Sequence, residues 1–328
     1  MAIYLVTGAA GFIGSSLIRE LLARGEHVRA LDNFETGKPE NIADVVDRIE
    51  FHEIDIRDFS GLLRLCEGVE FILHQAALPS VPLSISDPMR SHDININGTV
   101  NVLMAARQAK VKRVVYAASS AVYGESPASP KQEDMLPDPI SPYAVQKLTG
   151  EMYMRSFARV YSLETVCLRY FNIFGPRQDP GSPYSGVLAR FIAAMLRNKP
   201  LTIFGDGEQT RDFTYVDNAV AANLQAAVAP SKTTAGEYFN VGTGQRVSLN
   251  TVVELLRGIT DYSRPVNYGP PRSGDIRHSQ ADISKARAAF GYSPDVTLKD
   301  GLSRTVEWYK SRLPALPHLS NGLSNDPE

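Results

Sequence analysis

Through the first half of the chain, short β-branched and apolar runs alternate with longer stretches whose apolar positions recur every three to four residues. Ile3 to Thr7 predicts a buried first strand, and Phe12 to Arg24 a helix with Ile13, Leu17 and Leu21 on one face. Further strands are predicted over His27 to Leu31, Ile49 to Glu53, Phe71 to Gln75, Arg113 to Ala117 and Thr165 to Arg169. Helices are predicted over Asn95 to Ala109 and Tyr143 to Val160. This β–α alternation predicts an α/β fold built on a doubly wound parallel sheet, with ligands outside the carboxyl ends of its strands.

After about Gly175 the rhythm changes, with Pro176, Pro180, Gly181, Pro183 and Gly186 in quick succession and no second glycine-rich loop. The expected organisation is a dinucleotide-binding domain over 1–175 and a smaller substrate-binding domain over 176–312, able to return segments to the first. A tail over 313–328, rich in Pro, Asn and Gly, is expected to be disordered.

Composition narrows the class of partner. The 34 Lys and Arg nearly balance the 36 Asp and Glu, so no whole-molecule field draws in nucleic acid or an acidic membrane surface. Cys66 and Cys167 fit no metal-ligand or disulfide pattern and read as reduced, buried thiols. Met1 to Gly14 lacks the features of a signal peptide and no apolar run is long enough to span a bilayer, so the cytoplasm is the expected compartment.

The first strand runs into Gly8-Ala9-Ala10-Gly11-Phe12-Ile13-Gly14 and then a helix, the setting in which a glycine turn brings backbone N–H groups to a pyrophosphate. The expected fold is therefore Rossmann-type. Asp32, at the end of the second strand, can accept from both adenosine ribose hydroxyls and would repel a 2′-phosphate. Asn33 and Phe34 follow it, not an arginine, which favours NAD over NADP. Asp55, followed by Ile56, either meets the adenine amino group or caps a helix. Small side chains at Gln75-Ala76-Ala77 would let a dinucleotide lie against the backbone.

In Ser141-Pro142-Tyr143-Ala144-Val145-Gln146-Lys147, Ser141 is a credible N-cap and Pro142 a first helical residue. Tyr143 and Lys147 then share a helical face. A phenol is a weak base near neutral pH, and a neighbouring ammonium together with a cationic nicotinamide would favour its phenolate. A lone Tyr-x-x-x-Lys is more often a surface pair. Here the glycine loop, Asp32 and the strand-end Ser119 and Ser120 stand in order with it. No metal site is expected.

These residues, with Asn95-x-x-Gly98-Thr99, resemble the extended short-chain dehydrogenase/reductase family, and within it UDP-hexose 4-epimerases, from Ile3 to about Tyr309. Later motifs carry the same resemblance: Leu168-Arg169-Tyr170-Phe171-Asn172, Gly175-Pro176-Arg177-Gln178-Asp179-Pro180, Ile203-Phe204-Gly205-Asp206-Gly207 and Arg211-Asp212-Phe213. It implies that Tyr143 takes the C4 hydroxyl proton while hydride passes to NAD, with Lys147 on the nicotinamide ribose and Ser119 on the substrate oxygen. It also implies Asn95 and Tyr170 as cofactor contacts. On the substrate it implies Asn172, Arg211 and Arg272 at the diphosphate, Phe204 and Asp275 at the uridine, and Leu188 and Ile203 as further contacts. Ser80 and Ser120 would face the sugar.

Ala121, where related dehydratases and decarboxylases carry an acid, can move no proton, which speaks against those reactions. Ser279 would leave room for an N-acetyl group at C2, so UDP-glucose, UDP-galactose and their N-acetyl forms are the expected substrates, with UDP-glucuronate left open. A non-catalytic NAD-sensing protein is the competing class. A homodimer through the Asn95–Ala109 and Tyr143–Val160 helices is the expected assembly.

Overall fold

The structure is a computed structural model that describes residues 1–181, 186–271 and 276–312. Its centre is a seven-stranded sheet in which every pair is parallel. The strands are β1 (Ile3–Thr7), β2 (His27–Asp32), β3 (Glu50–Glu53), β4 (Phe71–His74), β5 (Arg113–Ser119), β6 (Glu164–Tyr170) and β7 (Glu237–Val241), in the spatial order β7-β6-β5-β4-β1-β2-β3. Chain order runs one way from β1 to β3 and the other way from β4 to β7. The crevice of such a sheet therefore opens between the ends of β1 and β4.

Alternation along the strands feeds two apolar layers. On β1, Tyr4 and Val6 join the layer that contains helix α1 (Phe12–Ala23), whereas Leu5 joins the opposite one. That second layer is covered by α2 (Phe59–Cys66), α3 (Gly98–Gln108) and α4 (Pro142–Tyr161). The first also takes in α5 (Val187–Leu196), α6 (Val216–Val228), α7 (Leu249–Thr260) and α8 (Leu298–Arg312).

The predicted elements stand where the pattern put them, with ends moved by a residue or two. The exception is the helix expected over Asn95–Ala109, which begins as a π-helical stretch over Asp93–Asn97 before α3. β7 comes from far beyond Gly175, so the later half of the chain completes the earlier half's sheet. Around it lie three two-stranded pairs, one of them joining Leu201–Phe204 to Val266–Gly269. Among the described residues no helix is long and apolar enough to cross a membrane.

Candidate active site

A cleft of about 1080 Å³ runs over the carboxyl edge of the sheet, lined by both halves of the chain. At its floor the β1–α1 turn is forced to be glycine at two points. Gly8 has φ +66, and a Cβ there would sit 2.8 Å from the Ala76 backbone nitrogen. A Cβ on Gly14 would lie 2.0 Å from the Gly8 carbonyl oxygen. α1 therefore starts at Gly11 with no side-chain cap, and Gly11, Phe12, Ile13 and Gly14 line the cleft. An uncapped helix start is a ready place for phosphate oxygens.

Asp32 is buried beside this turn and accepts from the backbone N–H of Ala10 (2.9 Å) and Phe34 (2.8 Å). Burial pushes its carboxyl above the usual carboxylate range, and those two N–H groups oppose the shift. Asn33 and Asp55 lie next to it, joined by an Asn33 Nδ2 to Asp55 Oδ2 hydrogen bond of 2.7 Å. Asp55 does not cap the following helix: Asp58 does, accepting from the Gly61 N–H. Instead Asp55 receives three hydrogen bonds from Arg57, which hold its carboxyl down at about 2. Ile56, Gln75, Ala76 and Ala77 complete this wall. Gln75 is fixed through Asn223 and the Tyr170 hydroxyl, 3.2 Å from Gln75 Oε1.

Ser119 and Ser120 stand at the end of β5, and α4 starts just across from them. Ser141 caps α4 by accepting from the Ala144 N–H at 3.2 Å, with Pro142 in the first turn. The Tyr143 N–H donates to Ser84 Oγ at 3.0 Å. This orientation brings Tyr143 and Lys147 to the cleft wall with Ser119. The phenolate is expected from the ammonium together with a cationic nicotinamide, and the protein without cofactor leaves Tyr143 a phenol. Burial pushes the Tyr143 phenol up, against a hydrogen bond from Ser119 that pulls it down. Lys147 Nζ is turned to the Ala117 carbonyl oxygen (2.8 Å) and lies 5.9 Å from the centre of the Tyr143 ring. Burial brings Lys147 down to about 8, so it is a cation at neutral pH.

Four of the expected contacts have partners of their own within the protein. Asn95 is buried behind the wall, where its amide clamps both the N–H (2.7 Å) and the carbonyl (3.2 Å) of Leu78 and donates to Gln146. Ser80 caps the short helix Val81–Ser86 by accepting from the Leu83 N–H. Leu188 and Ile203 are apolar core. None of these four, nor Phe204, is among the described residues lining the cleft, whereas Asn172, Arg211 and Ser279 are. Arg272 and Asp275 lie outside the described residues.

The chain matches the NAD dependent epimerase/dehydratase family over residues 4–242. It belongs to that family. A UDP-glucose 4-epimerase of Mycolicibacterium smegmatis is 41% identical over 313 residues, covering 94% of this chain and 98% of the relative. Two solved structures are also similar. A UDP-glucose 4-epimerase from Thermotoga maritima, with UDP-glucose, has TM-score 0.89 at 40% identity, covering 95% of this chain and 99% of that one. A UDP-N-acetylglucosamine 4-epimerase from Methanobrevibacter ruminantium M1, in complex with UDP-N-acetylmuramic acid, has TM-score 0.90 at 37% identity with the same coverage. For a member of this NAD-dependent family, the glycine turn, uncapped helix and buried Asp32 could supply donors and an acceptor to a dinucleotide.

Sequence reasoning missed residues that line the same cleft from the second half. Arg177 donates to Ser15 Oγ (3.1 Å) and Ser16 Oγ (2.9 Å) on α1 and is pushed down to about 10 by burial and by the neighbouring charge of Arg19. Lys38 pairs with Asp179 at 2.7 Å, joining the loop after β2 to the loop that follows Phe174. The Arg177-Gln178-Asp179 motif was visible in the sequence; its reach to α1 was not.

Proposed function

We propose that this chain is an NAD-dependent 4-epimerase of UDP-hexoses, acting on UDP-glucose and UDP-galactose and on their N-acetyl forms through a transient 4-keto sugar. The observation that carries this reading is the meeting of Ser119, Tyr143 and Lys147 on the wall of the cleft whose floor is the glycine turn and Asp32. NAD, when bound, would supply the acceptor and donor for a hydride at C4. Tyr143 takes the C4 hydroxyl proton and gives it back as the alcohol re-forms, while Ser119 donates a hydrogen bond to that oxygen. The buried phenol is neutral until a positive charge arrives, so its ionisation is tied to cofactor binding. Lys147 holds the nicotinamide ribose. Asn172 and Arg211 hold the diphosphate, and Ala121 leaves no acid for dehydration or decarboxylation.

Ser279 lines the cleft, held by its N–H on the Thr210 carbonyl at 3.1 Å, and in this reading a serine there leaves space beside C2. Relatives named for UDP-glucose and for UDP-N-acetylglucosamine support the same breadth. The test is incubation of purified protein with UDP-glucose, UDP-N-acetylglucosamine and UDP-glucuronate without added NAD, with products separated by chromatography. C4 stereoisomers of the first two are expected. Turnover of none, in protein that still binds NAD, would leave the NAD-sensing alternative standing.

The assembly we propose is a homodimer through α3 and α4. Val145, Met152, Tyr153, Val160 and Tyr161 are exposed along α4, and Arg107 of α3 lies 4.0 Å over the Tyr161 ring. An apolar stripe of this kind on a helix face suits a second copy. We assign the cytoplasm as compartment, which suits two buried, unlinked cysteines.

A further inference from the structure

We infer that the buried Glu151–Arg169 pair is a positioning device for Lys147: the Glu151 carboxylate, one helical turn beyond Lys147, keeps that ammonium charged in the closed site, and Arg169 limits and orients the effect. This rests on the reading of Lys147 as the residue that holds the nicotinamide ribose.

Lys147 and Glu151 are four residues apart on α4, both buried, on the face that packs against the sheet. Arg169, on β6, grips Glu151 from the other side with Nε to Oε1 at 2.9 Å and Nη2 to Oε2 at 2.7 Å. Its guanidinium carbon lies 4.2 Å from the Tyr238 ring centre and 4.8 Å from that of Tyr123. A buried pair of this kind contributes little stability over apolar residues of the same size, so stability alone is a weak reason for its presence. It does have an electrostatic consequence. Burial alone drives the Lys147 ammonium down, and Glu151 pulls it back up, so that it comes to rest at about 8.

The other groups around Lys147 cannot replace that carboxylate. From β4, His74 is held neutral, pushed down to about 3 by burial and by Lys147 itself. From β5, the Tyr116 ring lies 4.9 Å from Nζ, and its phenol is pushed well up by burial. From α4, Tyr143 is likewise pushed up, and Arg155 adds a cation farther along the helix. From β6, the Cys167 thiol is pushed well above its ordinary value by burial. This leaves the Glu151 carboxylate, paired with Arg169, as the counter-charge in the cluster.

The test is the titration of Lys147 in cofactor-free protein carrying ε-¹³C lysine, with its NMR signal assigned by its loss in Lys147→Met. The midpoint in the unaltered protein is expected near 8. Glu151→Gln is expected to lower it by about one pH unit, and Arg169→Met, which frees the carboxylate, to raise it. Glu151→Asp keeps the charge and restores the midpoint. If Glu151→Gln does not fold, the double variant Glu151→Gln/Arg169→Met carries no unpaired buried charge and is expected below the unaltered protein. The alkaline limb of kcat/KM should move in the same order as the midpoints. A midpoint indifferent to Glu151, or single variants moving it in the same direction, would overturn the inference, since a purely structural pair gives no opposed signs. Failure of the underlying reading looks different: Lys147→Met would then turn over UDP-hexose as well as the unaltered protein does, whatever the titration shows.

Discussion

Before cofactor binds, Tyr143 is a neutral phenol, because burial outweighs the hydrogen bond from Ser119. Removing its hydroxyl in Tyr143→Phe should lower kcat by roughly 10²–10⁴-fold, while NAD bound per protein, measured after denaturing release, stays the same. Lys147 sets a fall of cofactor affinity on the alkaline side, separate from the proton that Tyr143 gives up when the cofactor binds. Its ammonium is present below about 8 and is lost above it, so affinity for NAD should hold from pH 6 to 7.5 and fall as pH rises through 8. Titration calorimetry would show this, and Lys147→Met should flatten the profile. Ser279 is a question of space: Ser279→Tyr would fill the cleft wall beside C2, so kcat/KM for UDP-N-acetylglucosamine should drop at least tenfold while that for UDP-glucose changes little. Equal loss on both substrates would remove Ser279 from specificity.

At the scale of elements, the turn between β1 and α1 is held by contacts that tolerate no side chain. A Gly14→Ala methyl would lie 2.0 Å from the Gly8 carbonyl oxygen and must push the turn away from α1. The expected cost is about 1–3 kcal/mol of stability, read as a lower denaturant midpoint, together with weaker NAD binding. Polar residues at element ends were the hardest to read. Ser141 was legible as a cap because Pro142 follows it. Ser80, expected at the sugar, also caps a short helix, and Asn95, expected at the cofactor, also ties a loop to a π-helical stretch. A short polar side chain satisfies a backbone group as readily as a ligand, and only its surroundings distinguish the two.

For the whole molecule, the cleft depends on the later half of the chain returning to the earlier one. β7 extends the sheet, Arg177 reaches α1, and Lys38 joins Asp179 beside the dinucleotide floor. The remaining large-scale feature is the apolar stripe on α4. If it is the dimer face, Met152→Glu with Val160→Glu should convert a dimer to a monomer in sedimentation velocity, with the single-chain fold intact by circular dichroism. An unaltered protein that sediments as a monomer would remove the homodimer.

The local pattern by itself determined the parallel α/β fold, the glycine turn with Asp32, and the pairing of Tyr143 with Lys147. Each depends on neighbours within a few residues: a strand's apolar run, a tight turn, one turn of helix. The ordering of strands about β1 and β4, the placement of Arg177 on α1, and the burial that holds Tyr143 neutral and brings Lys147 to about 8 were decided by the tertiary structure. The reason is that desolvation and hydrogen-bond satisfaction are set by what packs against a side chain, and in this chain those partners come from residues scores of positions away.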